Sequence, residues 1–188
     1  MESEVLQHVT RLASSQFVYP SPSPEFIPLA YNPLYYVVSL PIVKVLGLGL
    51  PSLRFVAIMG MFGIGVMIFL VVRDHTRATW WAVIATGLFA AAYRVMDTYL
   101  DNAHSDGWFV FAALLGSYLV SRNRSFHWNA AGVVVLVLSF WFKQHGVIFV
   151  VGGLTFLLWR DGWKRAVGYG TIAAILGGAG YIIAGPLI

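Results

Sequence analysis

"SLRFVAIMGMFGIGVMIFLVV", residues 52–72, carries one charge, Arg54, near its start and is apolar from there on. A helix needs roughly 20 predominantly apolar residues to cross the hydrocarbon of a bilayer. Five further runs of the same character follow at Thr79–Tyr93, Gly107–Val120, Asn129–Phe142, Val147–Trp159 and Ala166–Gly185. Some are short, so tilt or interfacial residues must make up the length. The whole chain agrees with that reading. It is 59% hydrophobic and 11% charged over 188 residues, too little polar surface for a water-soluble domain of that size. The expected fold class is all-α, a polytopic transmembrane helical bundle of about six spans with outer-face interfacial helices.

Upstream of residue 52 the character changes. "ESEVLQHVTRLASS" (2–15) reads as a polar, acidic helix, and "YPSPSPEFIP" (19–28) as an extended turn that cannot be a helix interior. "NPLYYVVSLPIVKVLGLGLP" (32–51) is apolar but holds Pro41 and Lys44. It suits a helix lying on the membrane, with Tyr35 and Tyr36 at the headgroup level. The expected organisation is an outer-face region over 1–51 and a helical bundle over 52–188, without internal repeats.

Loop charges set the orientation. Arg73 and Arg77, then Arg122 and Arg124, then Arg160, Lys164 and Arg165 fall in alternate loops, so one side of the membrane receives seven of the twelve basic residues. Excess Lys and Arg mark the cytoplasmic side. Glu2, Glu4, Glu25, Asp97, Asp101 and Asp106 fall on the other side. This parity requires residues 33–50 to lie on the membrane. An outer segment of some fifty residues without a span ahead of it is unusual, and a further helix upstream is expected; the chain also stops where a span should emerge.

Several classes of function are excluded. There are no cysteines, hence no disulfide, thiolate metal site or cysteine nucleophile. The basic residues form no patch, so nucleic acid is not an expected partner. The N-terminus lacks the basic start and apolar core of a signal peptide. No Walker, GxSxG, HExxH or dinucleotide-binding pattern occurs. The glycines of "ILGGAGY" (175–181) lie inside a span and suggest close helix packing. The tryptophans at 80, 81, 108, 128, 141, 159 and 163 lie near span ends and read as an interface belt.

Three groups of residues could carry chemistry. In "DTYLDNAHSD" (97–106), Arg94, Asp97, Asp101 and His104 share one face if the preceding helix continues outward. Such a face could bind a phosphate or position an acceptor; alternatively it is a solvated loop whose charges cap two helices. Only His104 is a good nitrogen ligand there, so no metal site is expected. In "FWFKQHG" (140–146), Lys143, Gln144 and His145 end an apolar span. An ionisable group at membrane depth is a functional candidate, though a lysine near a span end can also snorkel. Glu2 and Glu4 could serve as general base for an acceptor, or simply complement their helix dipole.

The order of these blocks resembles one family. An acidic outer helix is followed by "FVYPSPSPEFIPLAYNPLYYVVS" (17–39), "LGLGLPSLRFVA" (46–57), a span, a basic loop, a span, "LDNAHSDGWFVFAALLGSYLV" (100–120), another span and "FKQHG" (142–146). The pattern is similar to the membrane glycosyltransferases of the C superfamily, glycosyltransferase family 39 and its bacterial relatives. These include the protein O-mannosyltransferases and the lipid A aminoarabinose transferase. The likeness runs over nearly the whole chain and covers the N-terminal half of such an enzyme. It implies transfer of a sugar from a polyprenyl-phosphate donor to a lipid, protein or glycan acceptor on the outer face of a bacterial inner membrane, with no cofactor. It implies Glu2 or Glu4 as base and Lys143 towards the lipid phosphate. Arg94, Asp101, His104, Asp106 and Gln144 would line the substrate site. Relatives often carry Arg two residues before the loop's last Asp; here His104 stands there and Asp106 is retained. The competing expectation is a multi-span transporter or lipid-binding component without catalysis, which would place ionisable groups at mid-depth.

Overall fold

In a computed structural model, residues 2–23, 31–96, 101–122 and 125–184 are described. Among them the chain is all-α, with eight helices and one short 3-10 turn. These are α1 (Glu2–Ala13), α2 (Leu34–Leu46), α3 (Leu50–Thr76), α4 (Thr79–Ala91, prolonged by the 3-10 turn Ala92–Arg94), α5 (Asp106–Arg122), α6 (Phe126–Phe142), α7 (Gly146–Asp161) and α8 (Trp163–Ala184). Glu25, Asp97 and Arg124 lie outside the described residues.

α1 forms because Val5, His8, Val9 and Leu12 recur at helical spacing and are all buried, while Glu2 and Glu4 fill its first turn. α2 starts after Asn32–Pro33 and tolerates Pro41 in its third turn. Its Tyr35 and Tyr36 face the protein interior, not the surface. Both are 1% exposed and join Val5, Val9, Leu53, Val56, Ala112 and Phe142 in one hydrophobic cluster. α2 has bulky neighbours on three helices, so those rings are packing rather than anchors. Its exposed side is instead Val37, Val45 and Leu46.

α3 to α8 alternate in direction. α3 and α5 run parallel, since Gly60 meets Trp108 near one end and Asp74 meets Tyr118 and Arg122 near the other. α5 and α6 are antiparallel and cross closely. A Cβ on Gly116 would stand 2.9 Å from the Gly132 carbonyl oxygen, and one on Gly132 would stand 3.1 Å from that of Gly116. Small residues allow backbones to approach in this way. Gly177 and Gly178 of "ILGGAGY" do not serve that purpose: nothing lies within 4 Å of a Cβ added to either. Gly177 borders a space lined by Val137, Phe140 and Val150, and Gly178 is exposed.

The alternation gathers charge at two ends. Arg73, Arg77, Arg122, Arg160, Lys164 and Arg165 belong to the turns after α3, α5 and α7, the basic end. It is tied by Asp74 to Arg122 and Tyr118, and by Asn129 Nδ2 to Asp161 and Tyr169, each 3.3 Å. Trp80, Trp81, Trp128, Trp159 and Trp163 stand exposed there. Trp108 and Trp141 are different. Trp108 Nε1 donates to the Val56 carbonyl at 2.8 Å and its ring stacks on Phe142, while Trp141 is 7% exposed.

Of the described helices, α3 is long and apolar enough to cross a membrane. Its 27 residues would reach about 40 Å at 1.5 Å per residue. Only 33% of its most apolar window is buried within the protein, so most of its apolar side faces outward.

Candidate functional site

The opposite, acidic end holds the candidate site. Among the described residues α4 does not continue outward as a helix. After Arg94 the chain turns, residues 101–103 bend, and α5 begins at Asp106. Arg94, Asp101 and His104 therefore do not form one helical face. The bends at 101–103 break the spacing on which that face depended.

What assembles instead is a knot around Asp106, at the first turn of α5. Its Oδ1 accepts from Lys143 Nζ, and the His104 ring Nδ1 lies 3.0 Å from its Oδ2. All three side chains are largely withdrawn from solvent: His104 is 6%, Lys143 17% and Asp106 18% exposed. A buried carboxylate needs such partners, since an unpaired ion there is costly. Tyr31 caps the group, with Lys143 Nζ 5.3 Å from its ring centre and the His104 ring edge-on at 5.6 Å.

Lys143 owes its position to a tight turn between α6 and α7. Its backbone is extended (φ −155°), its N–H bonds the Ser139 carbonyl, and Gly146 N–H returns to the Lys143 carbonyl at 2.8 Å. His145 stands at the N-cap position of α7 without a side-chain capping bond, and the positive end of that helix adds to the lysine charge. Asn32 Nδ2 donates to the Phe140 carbonyl at 2.5 Å and braces the same corner from the start of α2.

A cavity of about 540 Å³ opens beside the knot. Asp106, Lys143 and His145 line one part, and apolar side chains, among them Met61, Ile64, Phe89 and Phe109, line the rest. A polar corner in an apolar wall is the usual character of a small-molecule site.

Glu2 forms a second knot one residue before His104. Arg54 grips both its oxygens, Nε to Oε1 at 3.0 Å and Nη2 to Oε2 at 2.7 Å, and Ala103 N–H donates to Oε1 at 2.7 Å. The Arg54 guanidinium, aided by the Ala103 amide, holds the Glu2 carboxyl below the ordinary carboxylate range. A carboxylate so engaged is a weak base. Its evident effect is to fasten α1 to α3 and to the loop that carries His104 and Asp106. Glu4 lies half-buried two residues on in α1.

His104, Asp106 and Lys143 thus come together. Asp101 stands apart, on the rim of a groove beside Tyr93. Arg94 is exposed in the 3-10 turn and Gln144 exposed in the 143–146 turn, and neither lines a cavity described here. Among the described residues no group of three or more His, Asp or Glu could hold a metal. Arg54, Tyr31 and Asn32 are participants that sequence reasoning missed. Arg54 alone had a signal: a charge near the start of an apolar span needs a partner.

No protein-family model, curated protein or solved structure matches the chain.

The docking of α1 should weaken in acid. His8 is fully buried, stacked on Tyr36 at 4.9 Å, and burial pushes its imidazole below the ordinary 6.5. The unfolded segment therefore takes up the proton first, and stability falls as pH drops below about 6.5. Glu2 acts in the same direction at lower pH. Its contribution is present above about 4.5 and is lost as pH falls through its depressed folded value. Hydrogen exchange over 2–13, corrected for intrinsic rate, should quicken from pH 7.5 to 5.5, and His8→Phe should remove the change. Protection independent of pH across that range would refute the assignment.

Proposed function

We propose that this chain is part of a multi-pass membrane glycosyltransferase that takes a sugar from a polyprenyl-phosphate donor and passes it to an acceptor at the outer membrane face. The observation that carries the reading is the Asp106–Lys143–His104 knot at the edge of the 540 Å³ apolar-walled cavity. A lipid phosphate leaving group gathers negative charge as the glycosidic bond breaks. A preorganised cation in a low-dielectric site stabilises that charge. Lys143 is that cation, and a carboxylate of α1, Glu2 or Glu4, takes the acceptor proton.

The multi-pass reading draws support from α3 and from the apolar side chains exposed on several helices, among them Phe62, Leu88, Ile148 and Ile175. The side with Arg73, Arg122 and Arg160 would be cytoplasmic, in a bacterial inner membrane. Among the described residues, the charged side chains of α3 to α8 sit near helix ends and not at mid-length. That favours chemistry at the membrane surface over a transport pathway.

In the full-length protein, Lys143→Ala should lower transfer from a lipid-linked sugar about a hundredfold or more, the scale of losing one key charge-stabilising group. Membrane insertion should be unchanged. Transfer at the parent rate in a correctly inserted variant would remove Lys143 from the site.

A further inference from the structure

The hairpin of α7 and α8 carries an apolar groove that the knot at Asp106 does not use. Gly162, at φ +81°, turns the chain between the two helices, so the last turns of α7 lie beside the first turns of α8. Val151, Leu154 and Leu158 form one wall of a space of about 370 Å³, and Trp163, Val167 and Gly170 form the other. The groove lies at the basic end and faces outward: Leu158, Trp163 and Val167 are all exposed. Charge at that end is unbalanced. Its two described acids are each held by an arginine, Asp74 by Arg122 and Asp161 by Arg160. Arg73, Arg77, Lys164 and Arg165 are exposed, and among the described residues no carboxylate pairs with them. Lys164 adjoins Trp163 in the first turn of α8, one helical turn ahead of Val167, beside the free N–H groups that open a helix.

We propose that this groove binds one anionic phospholipid of the bilayer, with an acyl chain between α7 and α8 and its phosphate at Lys164 and the start of α8. The inference goes beyond sugar transfer and rests only on the reading that these helices stand in a membrane. Three features select the occupant. The walls are hydrocarbon and open onto the apolar exterior of α7 and α8, at Ile148, Val151 and Ile175, so a chain enters from the bilayer without crossing water. Exposed Trp159 and Trp163 suit the depth at which headgroups lie. The surplus of cations prefers a head with net negative charge, because a zwitterionic head brings its own cation towards Lys164 and Arg165. Gly170 makes the room: nothing lies within 4 Å of a Cβ added to it. A larger side chain at that position would occupy the place of the acyl chain.

The test separates head from groove. Affinities of the full-length protein in detergent are measured for phosphatidylglycerol and for phosphatidylcholine with the same acyl chains, by native mass spectrometry. The parent should favour phosphatidylglycerol about tenfold or more, since each cation near the headgroup contributes roughly a fivefold gain. Lys164→Gln should cut that preference about fivefold and leave the affinity for phosphatidylcholine unchanged. Gly170→Leu should weaken both lipids, and Ala166→Phe, which fills the same groove from a neighbouring position, guards against misfolding of the first variant. Gly87→Leu on α4, which also has open space at its Cβ and does not line the groove, should change neither affinity. Glycerol phosphate should not displace the lipid. Affinities unchanged in both groove variants, or displacement by glycerol phosphate, overturn the groove. A preference cut as much by Arg73→Gln with Arg77→Gln as by Lys164→Gln belongs to the whole basic surface and overturns the site. Release of the parent protein from membranes by alkaline carbonate overturns the membrane reading and this inference together, whereas a firmly inserted protein without lipid preference overturns this inference alone.

Discussion

Gly146→Ala should destabilise the protein by about 3 kcal/mol, the upper part of the usual range for overpacking, and displace Lys143. An added Cβ would lie 2.2 Å from Phe140 N and 2.4 Å from both Phe140 Cα and the Ser139 carbonyl carbon. These are backbone atoms of α6 and cannot rotate aside as a side-chain tip can. The turn must open, and with it the Gly146 N–H bond to Lys143 that shapes the corner. Lys143 then moves from Asp106 and Tyr31. Thermal unfolding in detergent reads the first effect and lipid-phosphate binding the second. Gly152→Ala supplies the control, because nothing lies within 4 Å of its added Cβ. Equal melting temperatures for the two variants would show that the turn is not sterically locked.

Asp106→Ala should cost about 3–5 kcal/mol, the expected range when one member of a buried ion pair is removed. It leaves Lys143 and His104, both mostly buried, without the carboxylate that each faces. The double change Asp106→Leu with Lys143→Met should be much less harmful than the sum of the two single changes. It removes both charges and keeps apolar volume where they stood. Additive losses in that cycle, measured by denaturation under identical detergent conditions, would show that the two side chains do not share an ion pair in solution. The same double variant should not bind a lipid phosphate, which separates stability from function.

Much of the fold was legible because each apolar run is bounded by residues that end helices. The run at 52–72 became α3, Leu50–Thr76, and that at 129–142 became α6, Phe126–Phe142. The acidic segment at 2–15 became α1, since valine and leucine at helical spacing announce a buried stripe. The outward face assigned to Arg94, Asp101 and His104 failed because helical spacing was extended across residues that bend. Tyr35 and Tyr36 were misplaced for a related reason. An aromatic pair beside an apolar helix reads alike whether it meets lipid headgroups or the rings of a neighbouring helix.

The amino-acid order by itself determined which segments are helical and that basic residues fall in alternate turns, and it marked Arg94, Asp101, His104, Asp106, Lys143 and Gln144 alike as polar candidates at the ends of apolar runs. Hydrophobic runs and local turn chemistry act within a few residues, so a single chain displays them. Tertiary structure alone decided the partnerships: Lys143 with Asp106 across 37 positions, Glu2 with Arg54 across 52, and Asn32 with the Phe140 carbonyl across 108. Helical periodicity tells which face of a helix is apolar but not which helix covers it. That is settled by close backbone approach, at Gly116 and Gly132 and at Gly146, where the absence of a side chain lets two segments meet and brings distant charges within reach of each other.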